Sequence, residues 1–332
     1  MRENIGSKTL NLSSGLAAAA LLCLGWGLLG SSPSYAANQG QSRTVTMSTI
    51  CGQCVPQKFV QCGDFLEGPA FDRDGNLWMV SINSGEIQKV TPNGQCTTAT
   101  NTHGQPQGLK FAKDGRLFGV DRKRGVFWID TSTGVVHDYM RYFQNENFHG
   151  PNDLIIDKEG GIYFTDPWGT SPLNPRGGVY YVSPEPEKNI TRIADNLAFP
   201  NGIALSPDEK TLYINDFDNQ RVLAVPLVSP GMLNVGFAHV FGGTLAGGWG
   251  PDGEAVDQNG NLYVAHYGAG EVVVIDPDGF MIGSIALPPG AGNQTTNVAF
   301  HDGWLYITEA GQNIVWRVKT NIPGAKLAGD MR

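Results

Sequence analysis

A short pattern recurs six times along this 332-residue chain, and its spacing limits the architectures the chain can adopt. The anchors read Asn76-Leu77-Trp78, Arg116-Leu117-Phe118, Gly161-Ile162-Tyr163, Thr211-Leu212-Tyr213, Asn261-Leu262-Tyr263 and Trp304-Leu305-Tyr306, about 40, 45, 50, 50 and 43 residues apart. That period suits propeller blades and exceeds most helical repeats. Each copy opens with a short apolar strand such as Leu154-Ile155-Ile156 and turns through an Asp/Gly/Asn-rich segment such as Asp72-Arg73-Asp74-Gly75. It then runs through the anchor strand and a third strand such as Gly125 to Ile129, with room for a fourth. Gly and Asn tolerate the positive φ angles of tight hairpins. No sustained 3.6-residue periodicity is present, and 44 Gly with 20 Pro disfavour helices.

Four antiparallel strands repeated six times predict an all-β, six-bladed β-propeller with a central metal site. Radial repetition of this kind leaves only short sheet edges, which a sandwich or an open solenoid would not. The propeller is expected over residues 58–320, with a C-terminal tail at 321–332. The last blade shows three strands, and the stretch Lys58–Gln61 is expected to supply its fourth and close the circle.

In a propeller the first strand of each blade lines the channel. Counting back about ten residues from each anchor reaches Glu67, Gln107, Asn152, Asn201, Asp252 and Thr296. Six oxygen-bearing side chains are thereby expected around one mouth of the channel. Four residues beyond the central residue of each anchor lie Ser81, Asp121, Asp166, Asp216, His266 and Glu309, a second polar circle outside the first. Taken one at a time, such strand-end polar residues are expected to cap turns.

Residues 1–36 combine Arg2 and Lys8, a mostly apolar run from Gly15 to Leu29, and Ser34-Tyr35-Ala36, the pattern of a cleaved secretory signal peptide. Export to a periplasm or to the outside is the expectation, with no stable membrane span after cleavage. Loss of that segment moves the formal charge from −8 to −9, because it carries Arg2, Lys8 and Glu3. An acidic surface without a basic stripe makes nucleic acid a poor partner. Cys51, Cys54, Cys62 and Cys96 remain, the first two in the N-terminal segment at 37–57. In an exported chain they are expected to form two disulfides of unspecified pairing that tether that segment to the first blade.

Within the inner ring, Glu67 and Asp252 offer carboxylates while Asn152 and Asn201 offer amide carbonyls. All-oxygen ligation suits a hard cation, calcium first, with Mg2+, Mn2+ and Zn2+ as alternatives. The flanks repeat too: Leu66-Glu67-Gly68-Pro69, Gly150-Pro151-Asn152-Asp153, Phe199-Pro200-Asn201-Gly202 and Gly250-Pro251-Asp252-Gly253. Gly and Pro beside each candidate fix the backbone where a ligand must point.

These runs, with Tyr163-Phe164-Thr165-Asp166-Pro167 and Ala265-His266-Tyr267-Gly268, resemble the regucalcin/gluconolactonase family. That family includes Drp35-type lactonases and shares its fold and site with diisopropyl fluorophosphatase. The likeness spans about residues 60–318. It implies a six-bladed propeller whose divalent metal is held by Glu67, Asn152, Asn201 and Asp252, the four residues reached from the repeat. Two departures stand out. The N-terminal cysteines are outside the family pattern, and His149-Gly150 stands where some members carry a sugar-acid-binding Arg.

The resulting expectation is a metal-dependent carboxylic ester hydrolase that opens a small-molecule lactone. Asp252 would act as general base or as direct nucleophile. Gln107, His149, Trp168, His266 and Thr296 are candidate substrate contacts, and Trp168, Trp249, Phe148 and Tyr267 suggest a partly aromatic lining. The alternatives are an organophosphate or other ester hydrolase at the same site, a strictosidine-synthase-like condensing enzyme, and a non-catalytic binding propeller.

Overall fold

A computed structural model describes residues 45–326. The signal peptide expected at residues 1–36 and the end of the C-terminal tail lie outside the described residues. The expected all-β propeller is what the chain forms. Five blades are built from consecutive strands, and their innermost strands are Leu66–Phe71, Pro106–Phe111, Leu154–Ile156, Pro200–Leu205 and Gly250–Val256. The sixth runs Thr295–His301, Trp304–Glu309 and Ile314–Lys319 from the axis outwards. Gln57–Gln61 pairs antiparallel with Ile314–Lys319, so the N-terminal strand completes the last blade. Among the described residues the only α-helix is Met47–Cys51, and the Thr46 N–H at its start donates to the Thr49 hydroxyl oxygen at 3.1 Å.

Each blade presents apolar side chains on both faces. In the third, Ile162 and Phe164 pack towards the second blade, while Tyr163 between them packs towards the fourth. Six buried clusters result, one between every pair of neighbouring blades, and the helix adds Ile50 to the one between the fifth and sixth. This two-faced burial is why the strands read as near-continuous apolar runs. Each fully buried Leu or Ile contributes about 1.5–3 kcal/mol.

The turns before the anchor strands follow one chemistry. Oδ1 of Asp72 accepts from the Asp74 and Asn76 N–H groups, Oδ1 of Asp157 from Glu159 and Gly161, and Oδ1 of Asp257 from Asn259 and Asn261. The glycines within them, Gly75, Gly160 and Gly260, sit at φ of +80°, +95° and +88°, where an L side chain is strained.

Uneven anchor spacing has local causes. A two-stranded ribbon, Tyr142–Phe143 with Glu146–Asn147, separates the second and third blades. The third blade carries a loop that includes Trp168 between its second and third strands, and the fourth carries the extra strand Met232–Leu233. Disulfides join Cys51 to Cys54 and Cys62 to Cys96. The second ties the end of the closing strand to the outermost strand of the first blade, Cys96–Asn101.

Candidate active site

All six inner-ring residues stand at or just before the start of an innermost strand, and all are buried. Their surroundings divide them. Glu67 and Asp252 share one electrostatic environment with Asp153, and the Asn201 amide lies beside the Asp252 carboxylate. Among the described residues the Asn201 Oδ1 has no hydrogen-bond partner. Burial raises the carboxyls of Glu67 and Asp252 far above the usual carboxylate range. Asp153 reinforces the rise at Glu67, and Glu67 with Asp153 reinforces it at Asp252. Buried acids that repel one another, beside an orphaned amide oxygen, form a donor set that a divalent cation satisfies. Among the described residues no group of three His, Cys, Asp or Glu side chains forms a metal cluster. Here amide oxygens would have to complete the set, which fits a hard cation and not a thiophilic one.

The remaining ring members are otherwise engaged. Thr296 donates its hydroxyl to the Leu66 carbonyl at 2.7 Å and pairs with Thr308, so it staples the sixth blade to the first. Gln107 donates to the Gln105 carbonyl and accepts from the Arg122 guanidinium at 3.3 Å.

The position after each ring residue explains how the axis is shaped. It is Gly68, Gly108, Asp153, Gly202, Gly253 and Asn297 in turn. A β-carbon on Gly108 would collide with Asp153, one on Gly253 with Asn297, and one on Gly202 with the Asp252 carbonyl. The four glycines clear the channel for a single pair from opposite blades. Asn297 donates Nδ2 to Glu67 Oε2 at 3.0 Å and to Asp153 Oδ2 at 3.3 Å, and so forms a floor beneath the ring. The Gly68 N–H also donates to Glu67 Oε2. With one oxygen of Glu67 held from below, the other is left for the mouth. Asn215 donates to the Asp252 carbonyl at 2.5 Å and fixes the backbone that presents that carboxylate.

Members of the outer circle turn back onto their own blades. Asp166 accepts from the His149 and Gly150 N–H groups at 3.0 and 2.6 Å. Asp216 accepts from Ala198, and Glu309 from Gln294. Asp121 accepts from the Thr102 hydroxyl. Each of these four acids therefore holds the segment that leads into the inner strand, a positioning role one step removed from the axis. His266 belongs here as well: Nδ1 lies 3.4 Å from Glu271 Oε1, and Nε2 is buried without a partner near Gly248. The His149 ring is more than half exposed, 4.0 Å from Asp166.

Aromatic side chains rim one side of the mouth. Trp168, Phe199, Phe217, Tyr267 and Trp249 follow one another with ring centroids 5.7–6.2 Å apart. Trp168 and Trp249 are 48% and 69% exposed, so the rim is open to solvent and not packed as core. Phe148, by contrast, is buried against Phe164 and Tyr180. On the far side of the floor lies a partly open cavity of about 90 Å³, lined by Lys110, Glu254, Ile155, Phe300, Gly324 and Ala325. Sequence reasoning passed over Asp153, Asn297, Asn215 and Arg122. The first two were signalled by their departure from glycine in an otherwise glycine position.

Comparison with known proteins agrees with this geometry. Residues 65–311 match the SMP-30/Gluconolactonase/LRE-like region. The lactonase drp35 of Staphylococcus saprophyticus is 38% identical over 248 residues, 72% of this chain and 75% of that protein. The lactonase drp35 of Staphylococcus aureus strain MRSA252 is 36% identical over 230 residues, 67% and 70% of the two chains. A gluconolactonase from Xanthomonas campestris superposes with a TM-score of 0.72 at 25% identity, over 82% of this chain and 92% of that one. Regucalcin from Agrobacterium tumefaciens, described as a calcium-binding protein, gives 0.67 at 25% identity, over 81% and 99%. On this evidence the chain belongs to the SMP-30/gluconolactonase/LRE-like family.

Proposed function

We propose that this protein is a divalent-metal-dependent lactonase, with Glu67, Asn152, Asn201 and Asp252 as the metal ligands. The observation that carries the reading is the unsatisfied donor set on the axis: two buried acids that repel each other and an amide oxygen without a partner. The lactonase names of relatives at 36–38% identity support the reaction class. A hard cation bound there, calcium first among the candidates, supplies electrophilic polarisation of the lactone carbonyl.

The chain's own residues supply the rest. The open rim admits a small lactone, and the aromatic arc offers its faces to the ring and its substituents. Asp252, aimed at the axis by Asn215, accepts a proton from the water whose oxygen attacks the carbonyl carbon. The ring C–O bond then breaks, and that proton passes to the departing alkoxide. Asn297 and Gly68 keep Glu67 in place throughout. The two disulfides suit an oxidising compartment, in keeping with export.

The test is acid release from sugar, aliphatic and aromatic lactones by the protein, with calcium, with chelator, and in Asp252→Ala. Chelator-sensitive turnover that disappears in Asp252→Ala is the expected result. Tight metal binding without turnover of any lactone or phosphotriester would sink the proposal in favour of a binding propeller. Single-turnover hydrolysis in labelled water tests for the nucleophilic role of Asp252, since direct attack by its carboxylate, followed by opening of the anhydride at the aspartyl carbon, places enzyme oxygen in the first product.

A further inference from the structure

One residue of the mouth carries a charge that no described residue pairs directly. Arg122 follows the outer-ring Asp121, and the equivalent positions of the other blades are Ile82, Pro167, Phe217, Tyr267 and Ala310. It is therefore a single cation in an otherwise apolar circle just above the acids. Its guanidinium lies over the Trp168 ring at 4.1 Å and donates one hydrogen bond, to Gln107 Oε1 at 3.3 Å. Among the described residues it forms no ion pair, although it is half-buried and feels the charges of Asp252, Glu67 and Asp121. A guanidinium has five N–H donors in a planar fork that matches a carboxylate in two places. Here one donor is spent, and stacking on Trp168 together with the Gln107 bond sets the plane of the fork. Gly150 makes this possible. A β-carbon there would stand 2.8 Å from Trp168 Cβ and 3.4 Å from Arg122 Cγ, so a larger residue would compete for the space that the stacked pair occupies.

We propose that Arg122, held by Gln107 and Trp168, is a carboxylate-binding subsite at the rim of the channel. The inference rests on the lactonase reading and adds a ligand class to it: a lactone that itself bears a carboxylate, or the carboxylate that ring opening creates. Either anion lies against a preset cation with little side-chain ordering left to lose on binding.

The experiment compares γ-valerolactone with its analogue carrying a carboxylate in place of the methyl group, in the wild type, Arg122→Gln and Arg122→Lys. It also measures inhibition by, and calorimetric binding of, the ring-opened hydroxy acid of γ-valerolactone, with calcium present. Loss of a charge-assisted, two-point contact is expected to cost roughly 10- to 100-fold. If the substrate's carboxylate is read, the ratio of kcat/KM for the carboxylated over the neutral lactone falls by that factor in Arg122→Gln, through KM. Arg122→Lys recovers it only in part. If the product's carboxylate is read, that ratio holds while the inhibition constant of the hydroxy acid rises by the same factor. The proposal is overturned if neither quantity moves, or if both lactones lose kcat alike. Should no lactone be turned over, the lactonase reading fails, yet the calorimetric arm still decides this one. Binding of the hydroxy acid about tenfold weaker in Arg122→Gln than in the wild type supports the subsite, and equal binding or none overturns it.

Discussion

Space for a single methyl group separates a working axis from a blocked one. Gly202 lies against the carbonyl oxygen of Asp252 and the amide of Asn215, which is itself hydrogen-bonded to that carbonyl. Its backbone is not in the left-handed region, so the requirement is for space alone. Gly202→Ala is expected to destabilise the protein by about 1–3 kcal/mol by overpacking, and to weaken calcium binding because Asp252 must shift. Gly243, at φ +81° with nothing near its missing β-carbon, is the control. Gly243→Ala should cost only the backbone strain, about 1 kcal/mol, and leave metal affinity alone. Denaturant unfolding and calcium titration of the two variants check this. Asn297→Ala removes the donor shared by Glu67 and Asp153. It should cost about 1–3 kcal/mol in the metal-free protein, since a buried acceptor is left without its partner, and calcium should narrow the gap.

At the scale of the element, the strand order and the inner ring were legible in the sequence because both follow the repeat. A channel-lining strand starts at a fixed distance from its anchor, so Glu67, Asn152, Asn201 and Asp252 could be found by counting. Counting could not say which of the six ring residues would be free. Thr296 and Gln107 share the register but spend their polar atoms on Leu66 and on Gln105 and Arg122, partners that only the fold brings near. The outer circle was expected, residue by residue, to cap turns, and Asp166 and Asp216 do accept from backbone N–H groups, but which N–H groups face them only the fold shows. Replacing Asp216 with Ala strips the Ala198 N–H and the Arg221 guanidinium of their acceptor. It should cost about 1–3 kcal/mol and lower calcium affinity through Asn201, whose strand that segment leads into. The closing strand supplies a second element-scale test. The Cys62–Cys96 disulfide bonds its end to the first blade, and replacing both cysteines with Ser should lower stability by about 2–4 kcal/mol in chemical denaturation.

For the molecule as a whole, the acids on the axis make stability depend on pH and metal together. Glu67 and Asp252 have carboxyl groups raised above their unfolded values, by burial first, then by Asp153 at Glu67 and by Glu67 and Asp153 at Asp252. Below the unfolded value both states hold the protons and nothing is lost. As pH rises above it, the unfolded chain releases protons that the metal-free fold retains, so the metal-free protein weakens until Glu67 ionises at about 8. A divalent cation takes the place of those protons. The calcium-induced rise in Tm is therefore expected to be larger at about pH 8 than at about pH 5, and to vanish with chelator at both. A calcium effect of equal size at both pH values would contradict the buried, protonated axis.

The pairing of Gln57–Gln61 with Ile314–Lys319 also sets a schedule. The strand made first waits, unpaired, until the strand made last has arrived, and only then does the circle lock. Until that moment every partial product is an open arc with raw edges at both ends. That schedule also makes a truncation that reaches Ile314–Lys319 a failure of the entire ring and not of one blade.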